Sequence, residues 1–134
     1  LQIAAYLVAS TVDAVLAQRL VRRICPTCKR ETTPTDHEAR RMDVVGLGLS
    51  RVWKGEGCDD CRGTGYRGRM GIFEIFRIND ELQKMVYDNV GTSRLREKAR
   101  AQGMRTMRED GARKVTAGIT TIDEVVSITV GDSV

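Results

Sequence analysis

The chain has 134 residues, formal net charge +4 and a sequence pI near 9.1, with 41% hydrophobic but only 4% aromatic residues. That is enough for one modest aliphatic core, or for the tail of a larger protein, and too few aromatics for a base-stacking surface. No apolar run approaches a membrane span, no signal peptide is present, and the opening Leu1-Gln2-Ile3 reads as the middle of a pattern, so a fragment is expected.

Along the chain, Ser10 and Asp13 form an S-x-x-D box before Val12, Val15 and Leu16, which predicts a short helix from about Thr11 to Gln18. Arg19 to Ile24 reads as a strand. Residues 25–70 read as irregular, punctuated by Pro26, Pro34 and a cluster of threonines, with one or two helical turns at Asp36 to Met42. Gly55, Gly57, Gly63, Gly65 and Gly68 then mark tight turns that need positive φ. Gly71 to Ile78 predicts a strand mostly buried on both faces.

From Asn79 the pattern turns helical. Asn79 caps a helix carrying Leu82, Met85 and Val86, and Thr92 or Ser93 opens the next, which Gly103 closes. Thr106 and Glu109 form a box before Met107, Ala112 and Val115, with Gly118 as the stop. Thr121 and Glu124 form another before Ile122, Val125 and Val126. Helices this short need one another or a larger body.

Chemistry concentrates in Cys25-Pro-Thr-Cys28 and Cys58-Asp-Asp-Cys61, two C-x2-C knuckles. One such turn lets two thiolates converge on an ion, and two supply the four sulfurs of a closed tetrahedral zinc site. The intervening 29 residues exceed a usual ribbon gap and predict a small excursion. With Cys25, Cys28, Cys58 and Cys61 all ligands, no position is open to water, so the metal is structural and coupled to folding. Chelation is therefore expected to loosen residues 25–70 more than the C-terminal helices. His37, the one histidine, reads as a solvated bystander. Arg19, Arg22 and Arg23 before the first knuckle and Arg62, Arg67 and Arg69 after the second would be drawn to one region, suiting an anion such as phosphate. No G-x-x-x-x-G-K-[ST] and no nucleophile–base set occurs, so no catalytic residue is assigned.

Three blocks in order carry a resemblance. They are Leu7-Val-Ala-Ser10 with Ala17 to Arg22 and the first knuckle; Gly57 to Arg69 running into Gly71-Ile-Phe-Glu74; and Ala101-Gln-Gly-Met104 with Arg108-Glu-Asp-Gly111, Lys114-Val115 and Gly118-Ile-Thr120. Together they resemble the C-terminal region of the ATPases that power type II secretion and type IV pilus assembly. The chain departs from that pattern at Ala4-Ala5, where an acidic residue and a proline are usual, and at Met70. The resemblance implies a cytoplasmic homo-hexamer at the inner membrane, working with membrane-platform proteins, with ATP and Mg2+ bound only in the parent protein. It implies an α+β, mostly α fold: 1–24 as the last helix and strand of a RecA-like core, 25–70 as a tetracysteine zinc subdomain with a small β-hairpin, and 71–134 as a return strand and bundle of short helices. Arg69, and with it Arg67, would lie near the nucleotide of the assembled core. Two other readings stay open. Cys58-Asp-Asp-Cys61-Arg-Gly63-Thr-Gly65 also resembles the repeat of DnaJ-type chaperone zinc domains, and a zinc ribbon contacting nucleic acid through its arginines is the third; no nucleic-acid partner is expected under the first.

Overall fold

The structure, a computed structural model, describes residues 3–43 and 51–129. The fold is mixed α+β: among the described residues it has six helices and two two-stranded sheets. The chain divides into two compact units, Leu1–Ala17 with Glu74–Thr106, and Gln18–Phe73 with Met107–Val134. Strands β1 (Ala14–Ile24) and β4 (Tyr66–Arg77) pair with each other and run through both. No helix among the described residues is long and apolar enough to cross a membrane.

In the first unit, α1 (Ala5–Thr11) packs against α3 (Asp80–Tyr87), and the Gln83 amide donates to the Ala9 carbonyl at 2.6 Å. Leu82 is fully buried here, and Ala9 and Ala99 are buried in the same unit. Asn79 caps α3 as its sequence predicts, its side chain accepting from the Leu82 N–H at 3.0 Å. Helix α4 (Thr92–Ala101) begins at Thr92 behind Gly91, and Arg96 grips Glu74 through two nitrogens at 2.9 and 3.0 Å.

The second unit holds the larger core: Val21 from β1, Ile72 from β4, Val52 from β3 (Val52–Gly55), Met107, Ala112 and Val115 from α5 (Met107–Thr116), and Ile122 and Val125 from α6 (Ile122–Ile128). Gly111 lets α5 and α6 touch, since a Cβ there would come within 2.5 Å of Val125. The Asp110 carboxylate accepts from the Phe73 N–H at 2.9 Å and from Lys114 at 2.8 Å, and Lys114 also donates to the Gly71 carbonyl. Thr121 caps α6 through the Glu124 N–H. Arg22 lies over the Tyr66 ring at 4.1 Å and pairs with Glu124, tying β1 to α6.

Four expectations need correction. Residues 12–18 are not helical: α1 ends at Thr11 and β1 starts at Ala14. The Ser10 hydroxyl bonds back to the Leu7 carbonyl inside α1, so it caps nothing. Residues 25–70 hold regular structure as well, because β2 (Lys29–Thr32) and β3 pair antiparallel, Lys29 opposite Gly55 and Thr32 opposite Val52. β4 begins at Tyr66 rather than Gly71, and only Ile72 along it is fully buried. The predicted turns at 36–42 do form as α2 (Asp36–Asp43), opened by a reciprocal Thr35–Glu38 box.

Candidate metal centre

Each knuckle sits where a strand ends. Val21 and Ile24 anchor the end of β1 in the second unit's core, the Ile24 N–H donating to the Ile119 carbonyl at 2.9 Å, and Cys25 follows directly. β2 begins straight after Cys28, and the β2–β3 ladder brings the chain back so that Glu56 N–H donates to the Cys28 carbonyl. The second knuckle then turns through Asp59 to Gly63, with Gly63 N–H on the Cys58 carbonyl at 2.9 Å. Two bonds stitch the knuckles together without any ion: Cys25 N–H to the Gly65 carbonyl at 2.9 Å, and the Thr27 hydroxyl to the Asp60 carboxylate at 2.7 Å.

Gly55 and Gly65 make this closure possible. A Cβ on Gly55 would stand 2.1 Å from the Gly65 carbonyl oxygen, and one on Gly65 would stand 2.5 Å from that of Gly55. Gly65 also takes φ +80°, a region that a side chain disfavours.

The four thiols converge. All four sulfurs lie within 4.8 Å of one another, with Cys25–Cys58 and Cys28–Cys61 at 3.8 Å and Cys58–Cys61 at 3.7 Å. A tetrahedron with Zn–S bonds of about 2.3 Å has edges of about 3.8 Å. A disulfide would need about 2.05 Å. The donor set therefore fits a four-coordinate thiophilic ion, and four protein sulfurs leave no place for a reacting water. Cys25 and Cys61 are buried and Cys28 and Cys58 half-buried, so the cage is enclosed on most sides.

Backbone N–H groups prepare the sulfurs for negative charge. Cys61 Sγ accepts from Cys58 and Gly65, both at 3.2 Å, and Cys28 Sγ from Gly57 at 3.3 Å. Burial opposes ionisation of Cys61, but these two donors and the neighbouring thiols outweigh it and bring the group down to about 6. Cys25 is also lowered: burial works against it, and the Cys28 and Thr27 backbones prevail. Cys58 moves up to about 12, because burial and the Cys61 and Cys25 sulfurs overcome the favourable Cys61 N–H. Cys28 is raised by burial despite the Gly57 N–H.

His37 is exposed on α2 and stands apart from the sulfur cluster. Arg67 and Arg69 are exposed on β4 and line a cleft of about 460 Å³ with Arg23 and Lys29. Of the six arginines flanking the knuckles, Arg23, Arg67 and Arg69 share that cleft, while Arg22 is engaged by Glu124. The sequence reasoning missed the Thr27–Asp60 bond and the N–H donors of Gly57 and Gly65. The C-x-x-C-x-G-x-G spacing was the available signal for the second knuckle's donor.

A small mixed α+β scaffold that brings four cysteine sulfurs within 4.8 Å of one another carries a candidate tetracysteine metal site. The family then follows from comparison: residues 1–127 match the family model "Type II/IV secretion system protein", and the chain belongs to that family. It is 39% identical over 92% of its length to the type IV pilus assembly ATPase PilB of Thermus thermophilus. It is 43% identical over 92% to the type II secretion system protein HxcR of Pseudomonas aeruginosa, and 38% over 92% to the type II secretion system ATPase E of Vibrio cholerae. The chain spans only 14%, 23% and 24% of these relatives' lengths, respectively. Membership in this family displaces the chaperone reading.

Proposed function

We propose that the chain is the C-terminal part of a hexameric cytoplasmic ATPase that powers type II secretion or type IV pilus assembly, and that Cys25, Cys28, Cys58 and Cys61 hold one structural Zn2+. The observation that carries the metal reading is the convergence of four sulfurs within 4.8 Å of one another, three of their six edges at the 3.7–3.8 Å of a zinc tetrathiolate. Residues 1–24 are read as the end of a RecA-like core, 25–70 as the zinc subdomain, and 71–134 as the return strand and C-terminal helical subdomain. ATP and Mg2+ belong to the parent protein, since no P-loop occurs within this chain. Arg69 and Arg67 lie near the nucleotide in the assembled hexamer. The zinc subdomain serves as a rigid arm that docks on a platform protein of the inner membrane or on a neighbouring subunit.

Elemental analysis of the purified chain tests the metal, with one zinc per chain expected. Iron in its place, or a natively folded metal-free protein, overturns it. In the full-length protein, Cys58→Ser with Cys61→Ser should abolish secretion or piliation at unchanged protein level. Undiminished secretion or piliation refutes the docking arm.

A further inference from the structure

Six of the fifteen cations in the second unit have an anionic partner. Arg22, Arg30, Arg41, Arg51, Lys54 and Lys114 each hold a carboxylate. Arg23, Lys29, Arg67 and Arg69 pair with none among the described residues, and these four line one cleft. Its remaining lining, including Ile24, Pro26 and Ile119, brings no negative charge.

The four cations are positioned as well as clustered. The Arg23 stem lies beside Gly68, its Cδ 3.6 Å from where a Cβ would stand, which sets it against the Arg67–Arg69 segment. Lys29 stacks over the Trp53 ring at 4.7 Å, with its Nζ 2.8 Å from where a Gly118 Cβ would be. Gly118 is thus the floor that leaves room for the ammonium. Like charges gathered in a concave wall focus a positive field, and a multiply charged anion relieves their mutual repulsion. Three guanidinium forks and one ammonium suit the oxygens of phosphate.

We propose that this cleft binds a phosphate-type polyanion, with Arg23 and Lys29 holding it alongside Arg67 and Arg69. The proposal rests on the arginine-loop reading above and extends it to two residues on the other side of the cleft. The phosphate can belong to a soluble polyphosphate chain or to an anionic phospholipid headgroup.

Titration calorimetry of the zinc-loaded chain with inorganic tripolyphosphate tests it. Binding should weaken as salt rises, and Arg23→Gln and Lys29→Gln, which keep the packed stems, should each weaken it about tenfold. Arg19→Gln, exposed on β1 outside the cleft, should leave affinity unchanged. Circular dichroism confirms that each variant folds. If only Arg67→Gln and Arg69→Gln weaken binding, the wider cleft is wrong and the arginine loop stands alone. If no variant matters, or Arg19→Gln matters equally, both fall. Cosedimentation with phosphatidylcholine vesicles, with and without phosphatidylglycerol, separates the sources. Capture by phosphatidylglycerol that tripolyphosphate competes away and Arg23→Gln removes assigns the headgroup; tripolyphosphate binding without capture assigns soluble phosphate.

Discussion

Cys61→Ser isolates what a single sulfur contributes to the cage. Structural zinc sites bind with roughly 10–16 kcal/mol at neutral pH, so an equal share is about 3 kcal/mol per sulfur. Each 1.4 kcal/mol is a factor of about ten, and loss of one sulfur should weaken zinc by about a hundredfold. The fold itself should suffer less. The serine hydroxyl can still accept from the Cys58 and Gly65 N–H groups that now point at Cys61 Sγ, so no buried donor is stranded. Competition against a chromophoric zinc chelator measures the change, with Asp59→Ala and His37→Ala as exposed controls that should bind as wild type. Wild-type affinity in Cys61→Ser would refute the tetrathiolate. A hundredfold loss in His37→Ala would show that a nitrogen ligand had been overlooked.

Other consequences can be checked on the same protein. Asp110→Ala strands the Phe73 N–H and leaves the mostly buried Lys114 ammonium, whose side chain is 19% exposed, with the Gly71 carbonyl but no counter-charge, and should cost about 3 kcal/mol in urea unfolding. Leu82→Ala, at a side chain 1% exposed, should cost about 3 kcal/mol and speed amide exchange in α3 before the zinc site is affected. In the metal-free chain, thiolate absorbance should show a step near pH 6 from Cys61 and a last one near pH 12 from Cys58. Cys61 is lowered from 9.0, so its contribution to stability is complete above pH 9 and fades as pH falls through 6. Cys58 is raised from 9.0, so its contribution is complete below pH 9 and fades as pH rises through 12. On these two groups the metal-free fold is most stable near pH 9, and zinc binding at neutral pH releases the protons that Cys28 and Cys58 retain.

The legible features were those encoded within a few residues. Asn79 and Thr121 cap the helices they precede, and Gly118 closes α5 at φ +76° because each signal acts over one turn. The paired knuckles announced their own convergence. The failures share a cause in distant partners. Val15, Leu16 and Leu20 suggested a helical stripe, yet all three are more than half exposed on a strand whose ladder partner lies some fifty residues on. Lys29-Arg30-Glu31-Thr32 has no alternation to betray a strand, and only the return of Val52–Gly55 makes it one. Gly68 read as a turn but sits inside β4 with φ +86°. Arg22 reaches a carboxylate 102 positions away, which no local pattern encodes.

The touching main chains at Gly55 and Gly65 have a consequence for how this region can diverge. In most crowded sites, a bulkier residue can be rescued by trimming its neighbour. Here the obstructing atoms on both sides are peptide carbonyls, which no codon change can shorten. Selection from a library randomised at both positions should therefore return the original pair and no second solution, even where every surface residue around it has drifted.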